Sequence, residues 1–524
     1  MTVFSLTFWL YLALLFIGAC ASLHYFVFLR QAAKWKKSNI PFLKPIFLIG
    51  HKYFTQYKYP IAVHLDRIYK DTENYDLIAF FMGSTPMILV RNPTLINQIF
   101  KKNFDKTHQN GMTALESDEI FQNSMFLASD RNKWRFQRSV MAPSFSSARL
   151  HESEEFGKIK KQAGNLMEYL ENAQLSQQPV NVKDVAMKFI VDSIALWGFG
   201  EDTNCFQRSE KFHQMTHDFF KPTMKKMLQF LILSHFPSLQ MFDSFKIADK
   251  KCMSFLRDLL IKNMMLREKS KVKHKDFIDH LGSLKGKVVA DTSDENADDS
   301  TRKYKEIRFK QMLGLTLAVF AASMQTPGNL ACYALHLISL HPDYQRRIKR
   351  EVDEAMEKNG VSEITNQVIE DLQFTEQCVL ETARLYPALP FIVRNCTEDF
   401  KVPGTDYFLK EGDKVLINPL SMHQDPKFYN EPDKFDPERF HPENRSSMSP
   451  ETFVAYGYGP KKCPAYKIGN FLVVTFLASI LQKYEVKPRS HSSQIDATGF
   501  HPLSFTHECK YDILVDLVPR ETTV

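Results

Sequence analysis

The chain lacks the devices that mark a small secreted protein or a nucleic-acid binder. Its eight cysteines stand singly at 20, 205, 252, 332, 378, 396, 463 and 509, with no Cys-x-x-Cys pair. That pattern excludes a compact disulfide framework and points to a reducing compartment. No Gly/Ser or Pro-rich linker divides the 524 residues and no repeat recurs at a fixed period, so one large globular unit is expected. Charge of one sign is also missing: 67 basic and 60 acidic residues leave a formal +7, without a basic tail or zinc-finger spacing. Nucleic acid is therefore not an expected partner. The small basic excess suits a solvated surface, an anionic leaflet or an acidic redox partner.

A local absence is more telling. From Val3 to Leu29 there is no Asp, Glu, Lys or Arg, and Phe8-Trp9-Leu10-Tyr11-Leu12-Ala13-Leu14-Leu15-Phe16-Ile17 is apolar throughout. About 20 such residues suffice to span a bilayer as a helix. A cleaved signal peptide would have a shorter apolar stretch and a small-residue cleavage site. Here the run ends in Arg30, Lys34, Lys36 and Lys37, the kind of cluster retained on the cytoplasmic side. The expected organisation is a membrane anchor over 1–30, a basic connector with prolines at Pro41 and Pro45 over 31–46, and a large globular domain over 47–524.

What is present reads as mainly helical with a smaller sheet-rich portion. Tyr75 to Met82 and Pro86 to Val90 read as short strands, and Pro93 to Phe100 as a helix. From about 150 to 385 apolar residues recur at helical spacing, including a pattern from Phe309 through Leu340. The acidic stretch holding Asp291, Asp294, Glu295, Asp298 and Asp299 reads as a solvated loop. Phe219 to Phe242 reads either as core or as a surface that touches lipid and admits apolar substrates. Strand and turn texture returns at Phe400–Thr405, Lys410–Ile417 and Tyr511–Leu517, with a last helix at Tyr466–Tyr484 between the latter two.

One cysteine stands apart by its surroundings. Cys463 lies in Ala455-Tyr456-Gly457-Tyr458-Gly459-Pro460-Lys461-Lys462-Cys463-Pro464-Ala465-Tyr466, a glycine-rich loop running into a helix. Glycines allow close backbone approach to a flat ligand, and a helix N-terminus favours a thiolate. The loop resembles the haem-binding signature of the cytochrome P-450 family. Three further motifs of that family stand upstream in the right order. Glu381-Thr382-Ala383-Arg384 is similar to its Glu-x-x-Arg helix, Asp436-Pro437-Glu438-Arg439-Phe440 to its Pro-Glu-Arg-Phe segment, and Trp134-Arg135-Phe136-Gln137-Arg138 to its Trp-x-x-x-Arg helix. Ala142 to Leu150 and Met422-His423-Gln424-Asp425-Pro426 resemble the microsomal branch of insects and other animals.

The resemblance implies a cytochrome P-450 fold behind an N-terminal transmembrane helix, with haem b as cofactor and Cys463 as ligand to its iron. Trp134, Arg138, Arg394 and Lys461 would hold the propionates, Tyr456, Gly459 and Ala465 would line the haem, and Glu381, Arg384 and Arg439 would form a buried charge network. It further implies a monooxygenase in the endoplasmic reticulum membrane, its catalytic domain facing the cytosol. Electrons would come from NADPH through a membrane-bound flavoprotein reductase, which Lys133, Arg135 and Lys462 could contact. O2 would be the co-substrate, with a lipid, hormone or xenobiotic as apolar substrate. The chain departs from the family pattern at Tyr456 for Phe, Lys461 for Arg and Ala465 for Gly. The central helix departs more: aligned on His341-Pro342-Asp343, Ala322-Ser323-Met324-Gln325-Thr326-Pro327-Gly328 keeps the hydroxyl of Thr326 but has Gln325 where an acid belongs. An amide cannot shuttle protons as a carboxyl group does, and Pro327 with Gly328 predicts a break beside Thr326. Two alternatives stay open: a reductase-independent isomerase or dehydratase, and a catalytically silent haem- or ligand-binding protein.

Overall fold

The computed structural model describes residues 2–44, 51, 59–82, 85–111, 118–146, 149, 153–208, 210–235, 237–242, 244, 246, 248–270, 274, 276–284, 288–290, 304–306, 309–491 and 493–520. The acidic stretch at 291–303 and the expected domain start at Phe47 lie outside these residues, as do Ser147, Ala148 and Leu150. Helices dominate. Those that frame the site are α1 (Thr2–Lys37), α2 (Arg131–Met141), α3 (Val182–Phe199), α4 (Phe309–Ser323), α5 (Gln325–Ser339), α6 (Pro342–Lys358), α7 (Gln373–Leu385) and α8 (Tyr466–Lys483).

Local chemistry sets several of their ends. Asp130 caps α2 by accepting from the Lys133 amide, and Asn181 caps α3 by accepting from that of Lys183. Unpaired first-turn N–H groups are satisfied in this way. Gly200, at φ +70°, closes α3 in the left-handed conformation that glycine adopts without penalty. Helices α5 and α8 are apolar on nearly every face and are accordingly central, with α5 packed against α3, α7 and α8.

The smaller part is a five-stranded sheet of β1 (Leu77–Met82), β2 (Thr85–Val90), β3 (Gln109–Asn110), β4 (Ile392–Asn395) and β5 (Lys414–Ile417), in the order β1-β2-β5-β4-β3. Strands β2 and β5 run parallel with Val415 opposite Ile88; the other pairs are antiparallel. The two-residue side-chain period divides β1 between two clusters. Leu77, Ala79 and Phe81 join Trp35 on one face, while Ile78 and Phe80 join Leu65, Ile68 and Tyr69 on the other. A second, three-stranded sheet orders Tyr484–Pro488, Leu514–Pro519 and Val180–Asn181.

Two of the expected helices differ in the structure. The helix expected over Pro93–Phe100 is α-helical only to Asn97 and then widens into a π-turn over Gln98–Lys102. The central helix does break, but at Met324 rather than at Pro327 and Gly328. Pro327 falls in the first turn of α5, where a missing N–H costs little, and the Gly328 amide still donates to the Met324 carbonyl at 3.1 Å. Helix α1 runs through the apolar N-terminal stretch to Lys34, Lys36 and Lys37, but the side chains of Leu10, Ala13, Phe16 and Ile17 lie outside the described residues. Among those described, no helix is long and apolar enough to cross a membrane.

Candidate active site

The loop ahead of α8 is held tightly by its own backbone. Gly457 and Gly459 have φ of +82° and +71°, and a Cβ on Gly459 would lie 2.2 Å from the Phe100 carbonyl oxygen. A 3₁₀ turn over Gly459–Lys461 lets the Lys462 amide donate to the Gly459 carbonyl at 3.0 Å, and the Cys463 amide donates to that of Tyr456 at 2.8 Å. Cys463 thus sits three residues before α8. Of the seven described cysteines, all free, six are buried and Cys463 alone is accessible, although protein surrounds it on most sides. Burial raises its thiol above the ordinary value, opposed by the Ala465 amide and by the charges of Arg138 and Lys462. The Tyr456 hydroxyl donates to Asn470 Oδ1 at 2.7 Å, so the extra oxygen at this position has a partner within α8.

Beside the loop, cations gather that pair with no anion among the described residues. Trp134 on α2 packs on Phe104 at 5.1 Å between ring centroids, and Lys461 Nζ lies 5.1 Å from the Trp134 ring centre. Arg138, one turn further along α2, donates from Nη2 to the Lys462 carbonyl at 2.9 Å. Arg394, placed by β4 between Val415 and Asn110, donates from Nη1 to Asn110 Oδ1 at 3.0 Å. Buried Arg394 Nε and Lys461 Nζ have no hydrogen-bond partner. Burial lowers Arg394 to about 10, and burial together with the Arg394 charge lowers Lys461 to about 6. None of Arg138, Arg394 and Lys461 forms an ion pair among the described residues. Arg394, buried and without an anion, calls for one, and an anion bound here would also hold Lys461 in its protonated form. A flat group carrying two carboxylates and taking an axial sulfur is satisfied by this donor set, so the residues present fit a haem.

Behind the loop lies a saturated charge network. Arg384 Nε and Nη2 donate to the two Glu381 carboxylate oxygens at 2.6 and 2.7 Å. The Asp436 amide and Arg439 Nε donate to Glu381 Oε1 at 3.0 and 3.3 Å. The remaining Arg384 donors reach the carbonyls of His423, Pro432 and Lys434. Nothing in the sequence pointed to His423 as a member. Its Nδ1 meets the Arg384 carbonyl at 2.9 Å and its Nε2 accepts from the Val454 amide at 3.0 Å, tying α7 to the start of the cysteine loop.

At the break between α4 and α5, Thr326 donates to the Ala322 carbonyl at 2.9 Å. Ala322, Thr326 and Leu330, spaced one turn apart, remain half-buried while most of their neighbours are buried, so one face of these core helices is open. Gln325 is buried and donates to Glu508 Oε2 at 3.0 Å. Neither Gln325 nor Thr326 bonds to the cation cluster. Asn110 and Glu508 also went unmarked by motif reading, because each is brought in by a strand or loop remote in sequence.

The cytochrome P-450 family model matches residues 40–515. The chain belongs to the cytochrome P-450 family. It is 28% identical over 490 residues to cytochrome P-450 6k1 of Blattella germanica, covering 90% of this chain and 92% of that one. With cytochrome P-450 6d1 of Musca domestica it shares 27% over 482 residues, 89% and 91% of the two chains. Cytochrome P-450 9e2 of Blattella germanica is 27% identical over 459 residues, covering 83% and 84%. The insect branch of the P-450 family is thereby supported, and with it a haem monooxygenase, an oxidoreductase that uses O2.

Proposed function

We propose that this P-450 inserts one oxygen atom from O2 into an apolar lipid, hormone or xenobiotic, with electrons delivered from NADPH by a membrane-bound flavoprotein reductase. The observation that carries the site assignment is the convergence of accessible Cys463 with the anion-free cations Arg138, Arg394 and Lys461 around Trp134. Cys463 is the sulfur ligand, and Lys461, Arg394, Arg138 and Trp134 hold the propionates. Tyr456, Gly459 and Ala465 shape the proximal wall. A haem ligated by thiolate supplies O–O cleavage when bound. Thr326 offers its hydroxyl on the open face of α4 and α5, while Glu381, Arg384 and Arg439 hold the cysteine loop from behind.

Electrons enter from the side of α2 and the loop, where Lys133 and Lys462 are exposed and Arg135 pairs with Asp105 at 3.7 Å. The catalytic body, to whose sheet residues 34–43 are bonded, hangs from a bilayer anchor over 1–30 in the endoplasmic reticulum, with the catalytic part on the cytosolic side. Exposed Phe8, Trp9, Tyr11 and Leu15 of α1 and the basic residues at its end support that placement. Exposed Leu228, Ile232, Met241 and Phe242 support a second lipid-facing patch through which apolar substrates approach.

The test is the reduced carbon monoxide difference spectrum of the full chain beside Cys463→Ala. The expected result is a Soret band at the haem-thiolate position, lost in the variant. No such band from folded protein overturns the assignment. Product formation that persists without reductase and NADPH would favour the isomerase or dehydratase alternative.

A further inference from the structure

A π-turn holds one residue more than an α-helical turn, and such turns recur at functional sites. The one over Gln98–Lys102 is pinned at its start. The Asn103 amide and Asn103 Nδ2 both donate to the Gln98 carbonyl at 2.9 Å, and Thr107 Oγ1 donates to that of Ile99 at 2.6 Å. The next carbonyl, that of Phe100, abuts the cysteine loop, where its oxygen and carbon would lie 2.2 and 3.0 Å from a Cβ on Gly459. The residues beside them also meet: the Tyr458 hydroxyl donates to Glu451 Oε1 at 2.7 Å and lies 3.3 Å from Asn97 Oδ1. The main chain of Phe100 is therefore fixed against the loop that carries Cys463. Its side chain, fully buried, lies under Arg394, whose Cζ is 5.8 Å from the ring centre. Among the described residues, the polar partners of that guanidinium are the Val393 carbonyl at 2.8 Å and Asn110 Oδ1 at 3.0 Å.

We propose that Phe100 is a positioning residue of the haem site, with its main chain registered on the cysteine loop and its ring setting the place of Arg394. The inference rests on the haem-thiolate reading above, in which Cys463 takes the iron and Arg394 a propionate. The face of an aromatic ring attracts a guanidinium while occupying none of its N–H donors. Both polar contacts of Arg394 are made by Nη1, which leaves Nε and Nη2, a pair that can take a carboxylate through two parallel bonds. Arg138 and Lys461 are placed by α2 and by the loop itself, whereas Arg394 comes from β4 in the sheet. A tie between sheet and loop is needed to bring it into register with Cys463, and Phe100 touches both. An aliphatic side chain in its place fills the core but exerts no such attraction, and the guanidinium is then free to shift relative to the sulfur.

Phe100→Leu removes the ring and keeps the main-chain contact. Phe80→Leu is the control, because Phe80 is equally buried but belongs to the cluster on the other face of the sheet. Each full-length protein is first checked for its reduced carbon monoxide band, and the transfer of its haem to excess apomyoglobin is then timed well below the melting temperature. The proposal expects haem loss about fivefold faster in Phe100→Leu than in Phe80→Leu, the lower range of what a cation over an aromatic face contributes. It also expects coupling: in an Arg394→Gln background, Phe100→Leu should accelerate haem loss by less than about twofold. Equal rates in Phe100→Leu and Phe80→Leu, or an undiminished effect of Phe100→Leu in the Arg394→Gln background, overturn it and leave Phe100 an ordinary core side chain. If Arg394→Gln retains no haem, the ratio between the two phenylalanine variants decides. Should Phe100→Leu not fold, Phe100→Met is judged by the same rates. A parent without a haem-thiolate band defeats the site assignment and the proposal with it, whereas a parent with the band and equal rates in the variants defeats the proposal alone.

Discussion

Gly457 and Gly459 stand two residues apart in one loop with nearly the same left-handed backbone, yet they are not equivalent. A Cβ at Gly457 would meet its nearest atoms at 3.6 Å, ordinary contact, while one at Gly459 would fall 2.2 Å from the Phe100 carbonyl oxygen. Gly457→Ala therefore costs the left-handed penalty of about 1–2 kcal/mol. Gly459→Ala adds a collision with main chain that cannot rotate away, about 1–3 kcal/mol more by analogy with overpacked cores. Thermal unfolding of the two variants should rank Gly459→Ala clearly lower; equal melting temperatures would mean that the loop and the Phe100 turn move apart freely. The motif made Gly459 legible as a required glycine, but as one that admits a flat ligand. The neighbour that requires it is the π-turn carrying Phe100, which no periodicity in Pro93–Phe100 discloses. Lys461 is the converse case: charge was legible from its place in the motif, whereas its unpartnered burial against Trp134 follows only from the packing of α2 on the loop.

Between elements, the joint of α7 with the cysteine loop runs through one neutral imidazole. His423 is fully buried, with one ring nitrogen against the Arg384 carbonyl and the other accepting from the Val454 amide, an arrangement that needs the uncharged ring. Burial lowers its pKa to about 3, from an ordinary value of 6.5. Between those values the unfolded chain binds a proton that the folded chain refuses, so stability falls as pH falls, beginning near 6.5 and continuing toward 3. From pH 6.5 to 5.5 the loss for one such histidine is about 1 kcal/mol. His336 and His507, lowered to about 4 and about 3 by burial, act in the same direction. Denaturant midpoints at the two pH values should show the loss, and His423→Gln should reduce it; an unchanged slope in the variant would assign the acid sensitivity elsewhere. The Glu-x-x-Arg motif was readable because Glu381 and Arg384 are one helical turn apart. His423 was not, because its partners lie on two other elements. The break at Met324 has the same origin: proline and glycine marked the region, but the side-chain bond from Thr326 to the Ala322 carbonyl and the bonds to the C-terminal loop accompany a joint a little upstream of Pro327.

At the scale of the whole molecule, the N-terminal helix divides into two parts of different character. Phe8, Trp9, Tyr11 and Leu15 are more than half exposed, whereas Trp35 is 1% exposed and packs on Phe81 at 5.2 Å and Phe42 at 5.9 Å. Lys34 pairs with Asp413 at 2.8 Å, and the Ser38 carbonyl accepts from the Phe408 amide at 3.1 Å. The proline-bearing stretch that follows is bound to the sheet: the Ala79 amide donates to the Pro41 carbonyl and the Leu43 amide to that of Ala79, both at 2.8 Å. Read by composition alone, residues 31–46 form a spacer; by their contacts, 34–43 continue the core of the five-stranded sheet. Removing residues 2–24 should therefore leave the carbon monoxide band and melting temperature intact while shifting the protein from the membrane pellet to the supernatant. Removing residues 2–37 also deletes Trp35, whose loss from a core costs about 3–5 kcal/mol, together with the Asp413 pair. That longer deletion should lower the melting temperature sharply and weaken haem retention, because Asp413 and β5 lie beside β4, which carries Arg394. If both deletions behave alike, the buried half of α1 contributes nothing to the fold that its contacts indicate, and the division drawn at Trp35 is wrong.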